Sequence, residues 1–144
     1  MHVAAADART DVRDRAVGDG VADEVHAGVG PWLGDRDLVV LCTPVAAIEE
    51  LIGPVSRALP LGAVLTDVGG AKERVIEVAR SSGDPRVPFV GAHPMFGGRG
   101  GYEAARADRW KGGTVAVCTD GAPAGAVARV SALHEALGAR VAPC

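Results

Sequence analysis

The stretch GAHPMFGG (91–98) places a histidine, His93, between the apolar pair Phe89–Val90 and a proline, with glycines on both sides. An imidazole titrates near neutrality, so at the mouth of a cleft it can accept or lend a proton to a bound group. The alternative is an ordinary turn histidine bonded to backbone. The other three histidines have weaker settings: His2 is terminal, His26 falls in a polar stretch read as loop, and His134 falls on a helix. No second histidine, cysteine or acid has metal-ligand spacing to His93, so no metal site is implied. The three cysteines, Cys42, Cys118 and Cys144, are far apart in the chain, and two lie in apolar runs. They read as buried thiols of a reducing compartment rather than as a disulfide or a metal site.

The elements that must position His93 follow from alternation. HVAAAD (2–7) reads as a short buried strand ending in an acid, and 10–20 as a short helix capped by Thr10 and stopped by Gly18 or Gly20. DLVVLCT (37–43) is a continuous apolar run, as in a parallel strand covered on both faces. The segment 44–60 then reads as a helix with Pro44 in its first turn and Val45, Ile48, Leu51, Ile52 and Val55 on one face; Pro54 should end, kink or weaken it. Further strands are expected over 63–68, 87–92, 114–120 and 139–143. Helices are expected over 71–83, with Val75, Ile76 and Val78 roughly inward, and over 123–138, with Gly138 as its stop. Strand and helix alternating in this way predict a doubly wound α/β fold, a parallel sheet flanked by helices. The Gly-rich segment 97–101 reads as a loop. Nothing suggests a second domain.

The whole chain is consistent with one small α/β core. It has 144 residues, 48% hydrophobic, with few aromatics. Its formal net charge is −3 with both signs interspersed, and this argues against nucleic acid or a membrane surface as partner. No apolar run spans a bilayer and no signal-peptide pattern opens the chain, so a cytoplasmic protein is expected.

In such a sheet, ligands bind beyond the carboxyl ends of the strands. Asp7, the turn Cys42–Thr43–Pro44, the turn Asp67–Val68–Gly69 and His93 all fall there, so all can face one crevice. A carboxylate in the position of Asp7 can hold a ribose 2′-hydroxyl and disfavours a 2′-phosphate, which favours NAD over NADP. Asp7 can equally cap the turn that follows it. Thr43 can cap the next helix with Pro44 at its first position, and this is compatible with a cofactor-facing role.

The runs DLVVLCTPV, TDVGGAK, GAHPMFGG and EAARADRWKGGTVAVC occur in this order. Together they resemble the prephenate/arogenate dehydrogenase family, in which a D-x-G-S-x-K turn precedes an H-P-M-x-G turn and an A-R-A-D segment follows. The likeness extends from HVAAAD to GARV. It implies a Rossmann-like domain and NAD-dependent oxidative decarboxylation of prephenate or arogenate in tyrosine biosynthesis. It further implies that His93 hydrogen-bonds the ring hydroxyl of the substrate, and that Cys42, Thr43, Pro44 and Val45, with Asp67, Val68 and Gly69, line the cofactor cleft.

Three departures accompany the likeness. HVAAAD aligns with the family's second strand, so residues 1–144 read as a partial dinucleotide-binding domain. The central first strand and the Gly-rich turn that holds the pyrophosphate are missing from these residues, and GDG (18–20) does not replace them. Weaker cofactor binding is expected, with the strands on either side of the gap unpaired along one edge. The chain also stops near the point where the family continues into a helical domain that supplies the dimer interface and the basic groups for substrate carboxylates. Little or no activity is therefore expected from this chain alone. Finally, Gly70 stands where the family has a serine that helps orient the histidine. Lys72 is retained and reads as a solvated residue at a helix start. Two other readings stay open: a non-catalytic remnant or binding module of the same fold, and a subunit completed by another chain, either as a homodimer or with a different partner.

Overall fold

A computed structural model of the chain describes residues 1–97 and 101–144; residues 98–100 of the Gly-rich segment read as loop lie outside the described residues. The strands are β1 (Ala4–Ala6), β2 (Glu24–His26), β3 (Leu38–Leu41), β4 (Val64–Asp67), β5 (Phe89–Val90), β6 (Ala92–Pro94), β7 (Thr114–Val117) and β8 (Arg140–Pro143). The α-helices are α1 (Thr10–Gly18), α2 (Val45–Ala58), α3 (Lys72–Ser82) and α4 (Ala124–Ala136). They form three hydrogen-bonded ladders: β1–β2, β3–β4–β5 and β6–β7–β8. Only Gly91 separates β5 from β6. The Cys118 N–H donates to the Gly91 carbonyl at 2.9 Å, so hydrogen bonding continues from the second ladder into the third.

The fold is the expected Rossmann-like α/β arrangement with one correction. The ladders β1–β2, β3–β4–β5 and β7–β8 are parallel, but β6 runs antiparallel to β7. A parallel neighbour needs a crossover, usually a helix. Between His93 and Thr114 the described residues hold only two short 3-10 turns, so the chain reverses beside β6 instead of crossing over.

Alternation along β4 divides the core. All of β4 is buried; Leu65 joins the cluster of Ile48, Ile52, Val55 and Val75 beneath α2 and α3. Val64 points the other way, into Val90, Val115, Val117 and Val130 beneath α4. In α2 the inward set is Ile48, Ile52 and Val55, with Val45 and Leu51 only half-buried. The helix runs through Pro54. Pro54 and Glu50 are both exposed, so water can satisfy the Glu50 carbonyl that loses its helical donor. Gly138 ends α4 with φ +92°, a left-handed stop of the expected kind.

Two further readings are corrected here. His26 is not in a loop. It lies in β2, paired in register with Ala6, and its ring stacks on Trp32 with centroids 4.5 Å apart. At α1, Arg9 rather than Thr10 occupies the N-cap, without a side-chain cap bond. Among the described residues β1 pairs only with β2 and β3 only with β4, and Leu38, Val39 and Val40 remain half-buried. The β1–α1–β2 unit is instead tied to the rest by side chains. Arg36 pairs with Glu24 at 3.0 Å, and the Tyr102 hydroxyl donates to Asp19 at 2.9 Å.

His134 is 1% exposed on α4, and the Trp110 indole N–H donates to its Nδ1 at 3.2 Å. This bond places the ring proton on Nε2, which has no partner among the described residues. Burial holds its pKa below the ordinary 6.5. The neutral ring belongs to the folded state, so its stability contribution is complete above that ordinary value. It declines as pH falls toward the depressed folded value, because the unfolded chain then binds the extra proton. Melting temperatures from pH 7.5 down to about pH 5 are expected to fall more steeply in the wild type than in His134→Phe. Equal slopes would refute the assignment.

Candidate functional site

The site begins with a buried ion pair. Asp67, the last residue of β4, is 0% exposed. Its Oδ2 accepts from Lys72 Nζ and from the Gly69 N–H at 2.9 Å, and its Oδ1 accepts from the Ala92 N–H at 3.2 Å. Lys72 Nζ also donates to the Ala92 carbonyl at 2.9 Å. One carboxylate therefore binds its own turn, the start of α3 and β6. A charge at this depth persists only with such partners. Lys72 is thus not a solvated helix-start residue; its ammonium closes the pair that fixes β6 against the 67–70 turn.

That turn also packs on the start of α2. A Cβ at Gly69 would lie 3.0 Å from Asp67 Oδ2 and 3.2 Å from Val45 Cγ2, so any side chain there would push its neighbours aside by a few tenths of an ångström. The Val68 N–H donates to the Leu41 carbonyl at 3.2 Å, joining the 67–69 turn to the end of β3. Cys42, Thr43 and Pro44 form an exposed lip beside it. Pro44 is the N-cap of α2 rather than its first helical residue, and no side chain caps it; Thr43 therefore does not play the capping role.

His93 stands on the same rim. A Cβ built on Gly70 would be 3.3 Å from His93 Nε2. Among the described residues neither ring nitrogen of His93 has a hydrogen-bond partner, and none of their backbone groups ties it down as a turn histidine. The ring lines a cavity of about 340 Å³ with Val68, Pro94, Phe96, Arg109 and Trp110. Arg109 and Trp110 come from the stretch ADRW, whose residue types and spacing carry no signal of a cavity shared with His93. The adjoining wall is tightly made: Phe96 meets Trp110 edge-on at 5.3 Å, and a Cβ at Gly113 would lie 2.3 Å from the Phe96 ring. Gly113→Ala is therefore expected to displace Phe96 and cost about 1–3 kcal/mol. Urea denaturation measures it, and a variant as stable as the wild type would contradict this packing.

Asp7 lies outside this cluster. Its Oδ1 accepts from the Arg9 N–H at 2.8 Å, so it does cap the following turn. Its side chain is nonetheless 42% exposed beyond the carboxyl end of β1, leaving Oδ2 open. The cysteines depart from expectation. Cys42 and Cys144 are exposed, and only Cys118 is buried. The β7–β8 register also brings the Cys118 and Cys144 sulfurs to 3.0 Å, although both are free thiols. Burial, reinforced by Cys144, pushes the Cys118 thiol up to about 11, so it is a poor nucleophile. A larger cleft, about 440 Å³, lies between α3 and the turn after β7 and contains neither His93 nor the 42–45 turn. Among the described residues no cluster of three or more histidine, cysteine or acidic residues can hold a metal, and no helix is long and apolar enough to cross a membrane.

A Rossmann-like sheet with its turns and an imidazole gathered on one rim defines a nucleotide-binding domain of the oxidoreductase kind. The chain belongs to the prephenate dehydrogenase family: the model of that family's nucleotide-binding domain matches residues 1–143. It is 31% identical over 136 residues to the cyclohexadienyl dehydrogenase of Zymomonas mobilis, covering 90% of this chain and 45% of that protein. The prephenate dehydrogenase of Aquifex aeolicus superposes with a TM-score of 0.88 at 25% identity, covering 98% of this chain and 51% of that one. A second structure from A. aeolicus, a complex with hydroxyphenyl propionate and NAD+, gives 0.88 at 24% identity over 98% of this chain and 50% of the other. The chain thus spans about half the length of these relatives.

Proposed function

We propose that residues 1–144 form part of the dinucleotide-binding domain of an NAD-dependent dehydrogenase acting on prephenate or arogenate. The observation that carries this reading is His93: an imidazole without a partner among the described residues, held over Gly70 by the Asp67–Lys72 pair and facing a cavity on the cofactor rim. The residues present fit the dinucleotide. Asp7 offers an exposed carboxylate oxygen to a ribose hydroxyl, and the close-packed Gly69 turn leaves backbone rather than side chain at the crevice. The Cys42–Thr43–Pro44 lip and Val45 form the adjoining wall, and Val68 of the turn lines the cavity. Asp67, being enclosed, supports the turn and does not touch the ligand.

NAD, when bound, supplies the acceptor for the hydride that leaves the carbinol carbon of the substrate. His93 accepts the hydroxyl proton as the carbonyl forms. The ring then loses carbon dioxide, and the electron pair of the broken carbon–carbon bond completes the aromatic system. The neutral imidazole is the competent form, and the absence of a side chain at residue 70 leaves Nε2 open to the substrate. Calorimetric titration of the chain with NAD tests the binding half. A chimaera carrying residues 1–144 in place of the aligned segment of the Zymomonas enzyme tests the chemical half through prephenate-dependent reduction of NAD. A chain that binds no NAD, or a chimaera whose turnover survives His93→Ala, would overturn the reading.

One observation favours completion by another strand. Among the described residues the ladders β1–β2 and β3–β4–β5 each leave an edge unpaired, and the half-buried Leu38, Val39 and Val40 lie along β3. A parallel apolar strand inserted there would join the two ladders, whether it comes from the same polypeptide or from a partner chain.

A further inference from the structure

We propose that Arg109 anchors a carboxylate of the substrate in the cavity lined by His93; this rests on the function proposed above and gives the ligand's polarity. Arg109 lies in the short 3-10 turn Ala107–Trp110 and is half-buried. Its Nη2 donates to the Ala104 carbonyl at 2.7 Å, which holds the guanidinium in place without neutralising it. Among the described residues no carboxylate forms an ion pair with it. The adjacent Asp108 is taken by Arg106, at 3.2 Å.

Among the described residues the cavity has few polar features. Its described lining is Val68, Pro94, Phe96, Trp110, small residues, and two ionisable side chains, His93 and Arg109. The Trp110 indole N–H is already committed to His134. A half-buried, unpaired cation on an apolar wall favours an anion, and the planar fork of arginine matches a carboxylate with two parallel N–H bonds. The volume of about 340 Å³ suits a ligand of one ring. His93 and Arg109 together therefore select a single-ring hydroxy acid, with its hydroxyl toward the imidazole and a carboxylate toward the guanidinium.

Two probes separate charge from shape: hydroxyphenyl propionate and the neutral hydroxyphenyl propanol of the same length. Each is titrated into the full chain in the presence of NAD and followed by two-dimensional NMR, which also reports whether each variant is folded. Arg109→Leu is expected to weaken the acid about tenfold or more, as for loss of a charge-assisted hydrogen bond, and to leave the alcohol within about twofold. Arg109→Lys, which keeps the charge but loses the fork, is expected to fall between and serves if the leucine variant does not fold. His93→Gln is expected to weaken both probes. An arginine variant that leaves the acid unchanged, or weakens both probes alike, overturns the role of Arg109 alone, as does a wild type that binds acid and alcohol equally. A wild-type chain that binds NAD but neither probe overturns this inference alone, whereas one that binds no NAD overturns the proposed function as well.

Discussion

Asp67→Ala is expected to destabilise the fold by about 3–5 kcal/mol, the usual cost of removing one partner from a buried ion pair. The substitution strands three donors. Lys72 Nζ, only 15% exposed at its side chain, loses its counter-charge, and the Gly69 and Ala92 N–H groups lose their acceptor. At this chain length the loss corresponds to a fall in melting temperature of about 10 °C or more. Asp67→Asn keeps an acceptor for the backbone groups and is expected to cost less. The double variant Asp67→Ala/Lys72→Met removes the stranded ammonium and is expected to regain part of the loss, with a coupling energy of about 0.5–3 kcal/mol. Guanidinium denaturation of the wild type, Asp67→Ala, Lys72→Met and the double variant closes the cycle. A single variant within about 1 kcal/mol of the wild type would show that the pair does not hold the turn.

His93→Ala is expected to lower kcat of the chimaera about 10²–10⁴-fold, the range for loss of a positioned general acid–base group. The dissociation constant for NAD is expected to stay within about twofold, because the ring faces the cavity of Phe96 and Trp110 rather than the Asp7 end of the crevice. Loss of both together would mean that His93 shapes the cofactor site. Loss of neither would remove it from the chemistry. The variant is expected to fold normally, since the ring is half-buried and makes no hydrogen bond among the described residues.

Much of the fold was legible because it rests on local periodicity. The four buried residues of β4, the Ile48, Ile52 and Val55 spacing of α2, and Gly138 after α4 each announce their element within a few residues. The β2 strand was not legible. Glu24, Val25 and His26 carry no strand pattern, and they become a strand only by pairing with β1 and stacking on Trp32. The Asp67–Lys72 pair was hidden for a related reason. A spacing of five residues says nothing about contact until the turn folds back over Gly69.

From the sequence alone came the α/β class and the order of most elements; His93, expected just past the end of a strand, lies instead in the middle of β6. The class and the order depend on hydrophobic spacing and turn residues that act over a few positions. The tertiary structure decided the reversal of β7 beside β6, the meeting of Cys118 with Cys144, and the presence of Arg109 in the same cavity as His93. Each of these is a matter of register between segments distant in the chain. Register is set by which apolar faces pack together, and no local pattern of residues encodes it.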